Sequence, residues 1–210
     1  MSKSSESQRK VPRQGRSKEL VQAIFEATIR ILPKVGSRQL TTKKVADIAG
    51  VSVGSLYQYF PNKEAILGRL MDSAMENHFA EFERRTQVLN CQSSEDSTNL
   101  MIDFALGIFL REKEKNREIF MQAPELGRIP RLFKVRQKVI HILATEMEKH
   151  HPGLPPEKYQ RISFIAVSSV MGVVHTMLYD ETKTYTINDL SVELKTMLNS
   201  YFTEIQKQNP

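Results

Sequence analysis

Residues 40–67 read LTTKKVADIAGVSVGSLYQYFPNKEAIL, and this stretch decides the fold. Thr42 is the expected N-cap of a short helix, Lys43–Ala49, because its hydroxyl can accept from a first-turn N–H. Gly50 is suited to end that helix in the left-handed conformation. Ser52 is placed to cap a third helix, Val53–Phe60, which Pro61 stops. Asn62 then caps a long helix from Lys63 to about Val88. Two short helices joined by a tight turn outline a helix-turn-helix. Ala46 and Ala49 are small enough for a second helix to cross close by, and Val51 fills the space under the turn. Leu56 and Phe60, four apart, face inward. Val53, Gly54, Ser55, Tyr57, Gln58 and Tyr59 are left with surface outward. Hydroxyl and amide groups there can bond to base edges or phosphates, and Gly54 and Ser55 allow close backbone approach. Lys63 opposes the macrodipole at the start of its helix. A nearby anion would favour both its ammonium and the free N–H groups of that helix end.

The charge distribution agrees with an anionic partner. Residues 1–63 contain 12 Lys/Arg and 4 Asp/Glu, a balance of +8, and the remainder a balance of −2, which together make the net +6. A localised basic region is the footprint of a polyanion binder, although a solvated basic face has the same composition. Residues 1–15 are polar and basic and are expected to be a disordered arm. They hold no apolar secretory core, and a single cysteine, Cys91, permits no internal disulfide. A cytoplasmic protein is expected.

The chain has 210 residues, 40% of them hydrophobic, with only 9 Gly and 9 Pro. Helical spacing recurs throughout, so the expected fold class is all-α, with about nine helices. The first carries Leu20, Val21, Ile24, Phe25, Thr28, Ile31 and Leu32 on one stripe after a Ser17 cap, and Pro33 and Gly36 are expected to close it. After the long fourth helix, NCQSSEDSTN reads as a loop. Helical patterns follow near Thr98–Glu114, Arg117–Gln122, Ile129–Lys149, Glu157–Tyr179 and Ile187–Gln206. The stretch from Ile162 to Leu178 has no charged residue except histidine. It falls short of a membrane span and includes several hydroxyls, so a helix buried on both sides is the expectation. With the last helix it offers a dimer surface: Phe164, Ser168 and Met171 from one, Leu190, Leu194, Met197, Leu198 and Tyr201 from the other. Paired across a two-fold axis, they would make a four-helix bundle.

The stretch resembles the DNA-binding region of the TetR (tetracycline-repressor) family of bacterial transcription regulators. The resemblance rests on Leu40-Thr41-Thr42, the Ala46/Ala49 pair, Gly50-Val51-Ser52, Gly54-Ser55-Leu56-Tyr57, Phe60 and Asn62-Lys63-Glu64-Ala65, and extends over about Ser17 to Leu70. Tyr59 stands where the family often carries histidine, and Pro61 where a small polar or charged residue is common; both bear on operator preference. The resemblance implies a homodimer on double-stranded DNA, with a helix-turn-helix domain over 16–62 and an effector-binding and dimerisation domain over 63–210. Thr42 and Lys43 would touch phosphates, and Ser52, Val53, Gly54, Ser55 and Gln58 would lie near bases or sugars. Tyr57, Tyr59 and Lys63 would clamp the backbone, and Arg13 and Arg16 would reach into the minor groove. A small apolar effector would sit among Phe104, Ile108, Phe120, Met121, Phe133, Met171 and His175, in a central region also containing Phe109 and Met177. Core packing accounts for the same residues. No cofactor, metal or membrane partner is implied.

Two other functions stand beside this one. A DNA-binding regulator could act without an effector, and a helical enzyme could carry an accessory DNA-binding domain. The sequence contains no P-loop, G-x-S-x-G, H-E-x-x-H or G-x-G-x-x-G motif.

Overall fold

A computed structural model describes residues 13–88, 91–182 and 184–207, with residues 13–16 as backbone only. Among the described residues there are nine α-helices and no strand. They are α1 (Arg13–Gln39), α2 (Thr42–Ala49), α3 (Val53–Tyr57), α4 (Lys63–Val88), α5 (Ser94–Arg111), α6 (Lys113–Met121), α7 (Ile129–His150), α8 (Pro156–Tyr179) and α9 (Ile187–Lys207). They form two compact units, and the division falls within α4, between Ile66 and Leu67.

In the first unit, α1 buries Ile24, Phe25, Thr28, Ile31 and Leu32 of the expected stripe and Ala27 beside them, while Leu20 and Val21 of that stripe are half-buried. The Phe25 and Phe60 rings meet at 5.9 Å. The helix already exists at Arg13, ahead of the Ser17 cap; most of the arm expected over 1–15 lies outside the described residues. Nor does Pro33 end α1. The helix runs through it and breaks only at Gly36, where φ is 69° and ψ 164°. Proline removes one hydrogen bond, and burial of the apolar Ile31 and Leu32 just ahead of it favours the helix against that loss.

The second unit has its core where α5, α7, α8 and α9 meet, with Ile102, Leu106, Ile140, Tyr159, Val170 and Leu198 buried. Helix α5 starts earlier than its expected Thr98, because Ser93 accepts from the Asp96 N–H at 3.0 Å and caps it. Cys91, just before it, is buried at 6% exposure. Helix α6 also starts earlier, at Lys113. The α7–α8 turn is closed by the Tyr159 hydroxyl, which donates to the His151 carbonyl at 2.6 Å and accepts from Leu154 N–H at 2.9 Å. The start of α7 is fastened to α4. Arg128 Nε and Arg131 Nε lie 3.0 and 3.3 Å from one oxygen of Asp72, and Arg131 also pairs with Glu76. Gly68 makes room for this, since a Cβ there would stand 2.8 Å from Arg128 Nη2. By length and composition α8 alone among the described helices could cross a membrane. One side of it, through Ile162, Ala166, Val170 and Val174, is buried in the shared core with α5 and α7.

Candidate nucleic-acid interface and ligand cleft

Adjacent threonines divide the work at the start of α2. Thr41, with extended backbone at φ −132° and ψ 150°, is the cap, not Thr42; it accepts from Lys44 N–H at 3.2 Å. Thr42 is the first helical residue, and its hydroxyl is free to share a 3.0 Å hydrogen bond with the Tyr57 hydroxyl. Gly50 ends α2 at φ 68° and ψ 28°, and its N–H faces the Ala46 and Asp47 carbonyls. Ser52 caps α3 by accepting from Ser55 N–H at 3.0 Å, and the two serine hydroxyls bond at 2.8 Å. Regular α3 stops at Tyr57, earlier than Phe60. Turns carry the chain on, with Tyr59 and Phe60 N–H both donating to the Leu56 carbonyl at 3.0 Å.

The result is a short helix with two unlike sides. Leu56 and Phe60 are buried, while Ser52, Gly54, Tyr57, Gln58 and Tyr59 are exposed and Val53 and Ser55 half-buried. Tyr57 is 51% and Tyr59 41% exposed, large values for aromatic rings. Among the described residues the Tyr59 hydroxyl has no hydrogen-bond partner. A Cβ built at Gly54 would meet only Ser52 Oγ, at 3.9 Å, among the described residues, so none of these requires glycine there. Lys43 is exposed beside this face.

Lys63, the expected backbone clamp, is also engaged within the protein. Its Nζ donates to the carbonyls of Ser37 at 2.9 Å and Arg38 at 3.3 Å. The ammonium satisfies carbonyl groups at the end of α1, where a cation is favourable. Asn62 caps α4 as expected, accepting from Ala65 N–H at 2.8 Å. The side chain of Arg16 lies outside the described residues.

The second unit contains an apolar cleft of about 320 Å³. Phe109, Phe120, Met121, Ala123, Pro124, Ile129, Leu132, Met171, Val174, His175, Leu178 and Tyr179 line it. Four of the seven residues expected together are here: Phe120, Met121, Met171 and His175. The other three lie elsewhere. Phe104 packs on Phe82 and under Arg85, the Ile108 carbonyl accepts from Asn116 at 2.9 Å, and Phe133 is exposed beneath Arg136. The sequence reading missed Val174 and Leu178, although they are three and seven positions beyond Met171 and so share its helix face. It also missed Ile129 and Leu132, which only the α6–α7 turn brings to the cleft. Within the lining, Phe109 meets Phe120 at 5.1 Å, and it also packs on His78 at 6.3 Å. Burial, and then the nearby Lys115 charge, hold His78 below its ordinary value of 6.5, with Glu112 opposing.

On the outer surface, Phe164 is 49% and Met197 48% exposed. Ser168, Met171, Leu190 and Tyr201 are half-buried. Leu194 and Leu198, at 5% and 1%, belong to the protomer's own core and support that surface from beneath.

This geometry defines a helix-turn-helix regulator with a separate helical unit. Residues 24–70 match the family described as bacterial regulatory proteins, tetR family, and residues 95–202 match a tetracyclin repressor-like C-terminal domain. The chain belongs to the tetR family of transcriptional regulators, and its first unit is the family's DNA-binding helix-turn-helix. Over 63 residues it is 38% identical to the HTH-type transcriptional repressor KstR of Mycobacterium tuberculosis, a match covering 30% of this chain and 27% of that one. The matches span less than half the length of each of the curated relatives. The fold resembles that of the fatty acid degradation regulator FadR from Bacillus halodurans, at 20% identity and a TM-score of 0.68, over 91% of this chain and 96% of that one. It also resembles FadR from Bacillus subtilis in complex with stearoyl-CoA, at 20% identity and a TM-score of 0.65, over 84% and 96%.

Proposed function

We propose that this chain is a homodimeric repressor that holds a palindromic operator and releases it when a small apolar effector fills the cleft. The observation that carries the DNA reading is the outward face of α3, where exposed polar side chains and an unconstrained glycine sit over buried Leu56 and Phe60. Ser52, Val53, Gly54, Ser55 and Gln58 meet bases and sugars in the major groove. Thr42, Lys43, Tyr57 and Tyr59 hold phosphates, and Arg16 enters the minor groove. The Thr42–Tyr57 hydrogen bond fixes both hydroxyls in register for one phosphate. It acts in the bacterial cytoplasm, on the nucleoid.

The cleft supports the effector part. Its volume is at the lower end of the ~300–1,000 Å³ usual for small-molecule sites, and its lining is mostly apolar. The similar FadR fold that holds stearoyl-CoA gives an acyl chain as a first probe. Exposed Phe164 and Met197 support pairing through α8 and α9. Selection of bound DNA from a random pool tests the whole reading. Inverted half-sites about 34–36 Å apart are expected; recovery of no common sequence would sink operator recognition. Sedimentation at micromolar concentration should show a dimer, and a monomer there would defeat the pairing.

A further inference from the structure

We infer that the ligand of the cleft is a neutral aromatic compound carrying a hydroxyl group, and that His175 and Tyr179 bind that hydroxyl. This deepens the reading of the cleft as the effector site and rests on it. Rings dominate the walls. Phe109 and Phe120 meet at 5.1 Å and 55°, His175 and Tyr179 at 5.1 Å and 57°, and all four line the cleft. Met121 and Met171 add polarizable sulfur to the lining.

Tilted ring pairs and thioethers favour a further ring, in offset or edge contact, over an alkyl chain of equal area. A flexible chain also loses more rotamer freedom on binding than a rigid ring does. Tyr179 is 42% and Met121 51% exposed, so a bound ring has apolar surface to cover.

Polar side chains in the lining are confined to His175 and Tyr179, which stand at steps of four from Met171 on one face of α8. Their rings pack on each other, but among the described residues neither side chain makes a hydrogen bond. A pure hydrocarbon laid over them would strip away water without replacing its bonds. A hydroxyl on the ligand replaces them, because it both donates and accepts, as a phenol and a neutral imidazole do. No Asp, Glu, Lys or Arg lines the cleft. An ionic group there would give up its hydration for no counter-charge, so the ligand is neutral.

Calorimetric titration of the full-length protein at neutral pH with β-naphthol, naphthalene, octanol and β-naphthoate tests this. β-Naphthol should bind at least about threefold more tightly than naphthalene, which lacks the hydroxyl. It should exceed octanol, which lacks the rings, by a similar factor, and also exceed the anionic β-naphthoate. Joint His175→Phe and Tyr179→Phe substitution keeps the rings and removes the polar groups. It should erase the advantage of β-naphthol over naphthalene without weakening naphthalene. Failure of β-naphthol to exceed any one of the other three, or an advantage over naphthalene that survives the double substitution, overturns the inference alone. Binding of none of the four overturns the reading of the cleft, and this inference with it. Met171→Trp, which crowds the cleft, should weaken every ligand that binds; no effect would place binding elsewhere and overturn both.

Discussion

Among the described residues Gly54 has no neighbour that would exclude a side chain. Gly54→Ala should therefore fold as well as the parent, or gain up to ~1 kcal/mol from better helix propensity. Operator affinity, by fluorescence polarisation, should fall at least about tenfold as the methyl group holds the backbone off the groove wall. Stable protein with full affinity would remove Gly54 from the interface. His78 offers a second test. Its folded pKa is depressed, so below its ordinary value of 6.5 the unfolded chain takes up a proton that the folded chain does not. Stability is thus undiminished above pH 6.5 and falls as the pH drops towards the folded value. Unfolding curves between pH 7.5 and 5.5 should show this loss, and His78→Gln should reduce it. At this scale spacing was a good guide: Leu56 and Phe60, four apart, were readable as the buried pair. The roles of Thr41 and Thr42 were not. Both carry the same hydroxyl, and only the extended backbone at Thr41 decides which one caps.

At the scale of elements, helix ends were legible where capping chemistry is unambiguous, as at Gly50, Ser52 and Asn62. They were illegible where packing overrides a local signal, as when α1 continues past Pro33. Lys63 shows the same limit for a contact. Its charge was visible in the sequence, but the carbonyls it bonds belong to residues 37 and 38, far along the chain. Lys63→Ala should lower stability by about 1.5–3 kcal/mol, the usual worth of a hydrogen bond involving a charged group, measured by denaturant unfolding. The slope of log K against log salt for operator binding separates the two roles. It should stay unchanged if the ammonium serves only α1, and flatten by about one unit if it also neutralises a phosphate.

Across the whole molecule, the basic excess resides in the first 63 residues and the apolar surface in the second unit. Residue patterns can identify a buried stripe but cannot separate a protomer's own core from a face awaiting a partner; Leu198 and Phe164 looked alike until burial distinguished them. Their substitutions should now diverge. Leu198→Ala should cost ~2–5 kcal/mol of folding stability, as cavities in cores do. Phe164→Glu should leave thermal unfolding of the protomer nearly intact and yield monomers in sedimentation at micromolar concentration. A Phe164→Glu dimer would require another pairing surface. The single cysteine gives the unaltered chain a built-in chemical reporter. Because Cys91 is enclosed in the native state, a thiol reagent reacts only when the segment ahead of α5 opens. Its labelling rate therefore reads out that local opening, in the presence or absence of DNA or ligand, without a label being introduced by mutation.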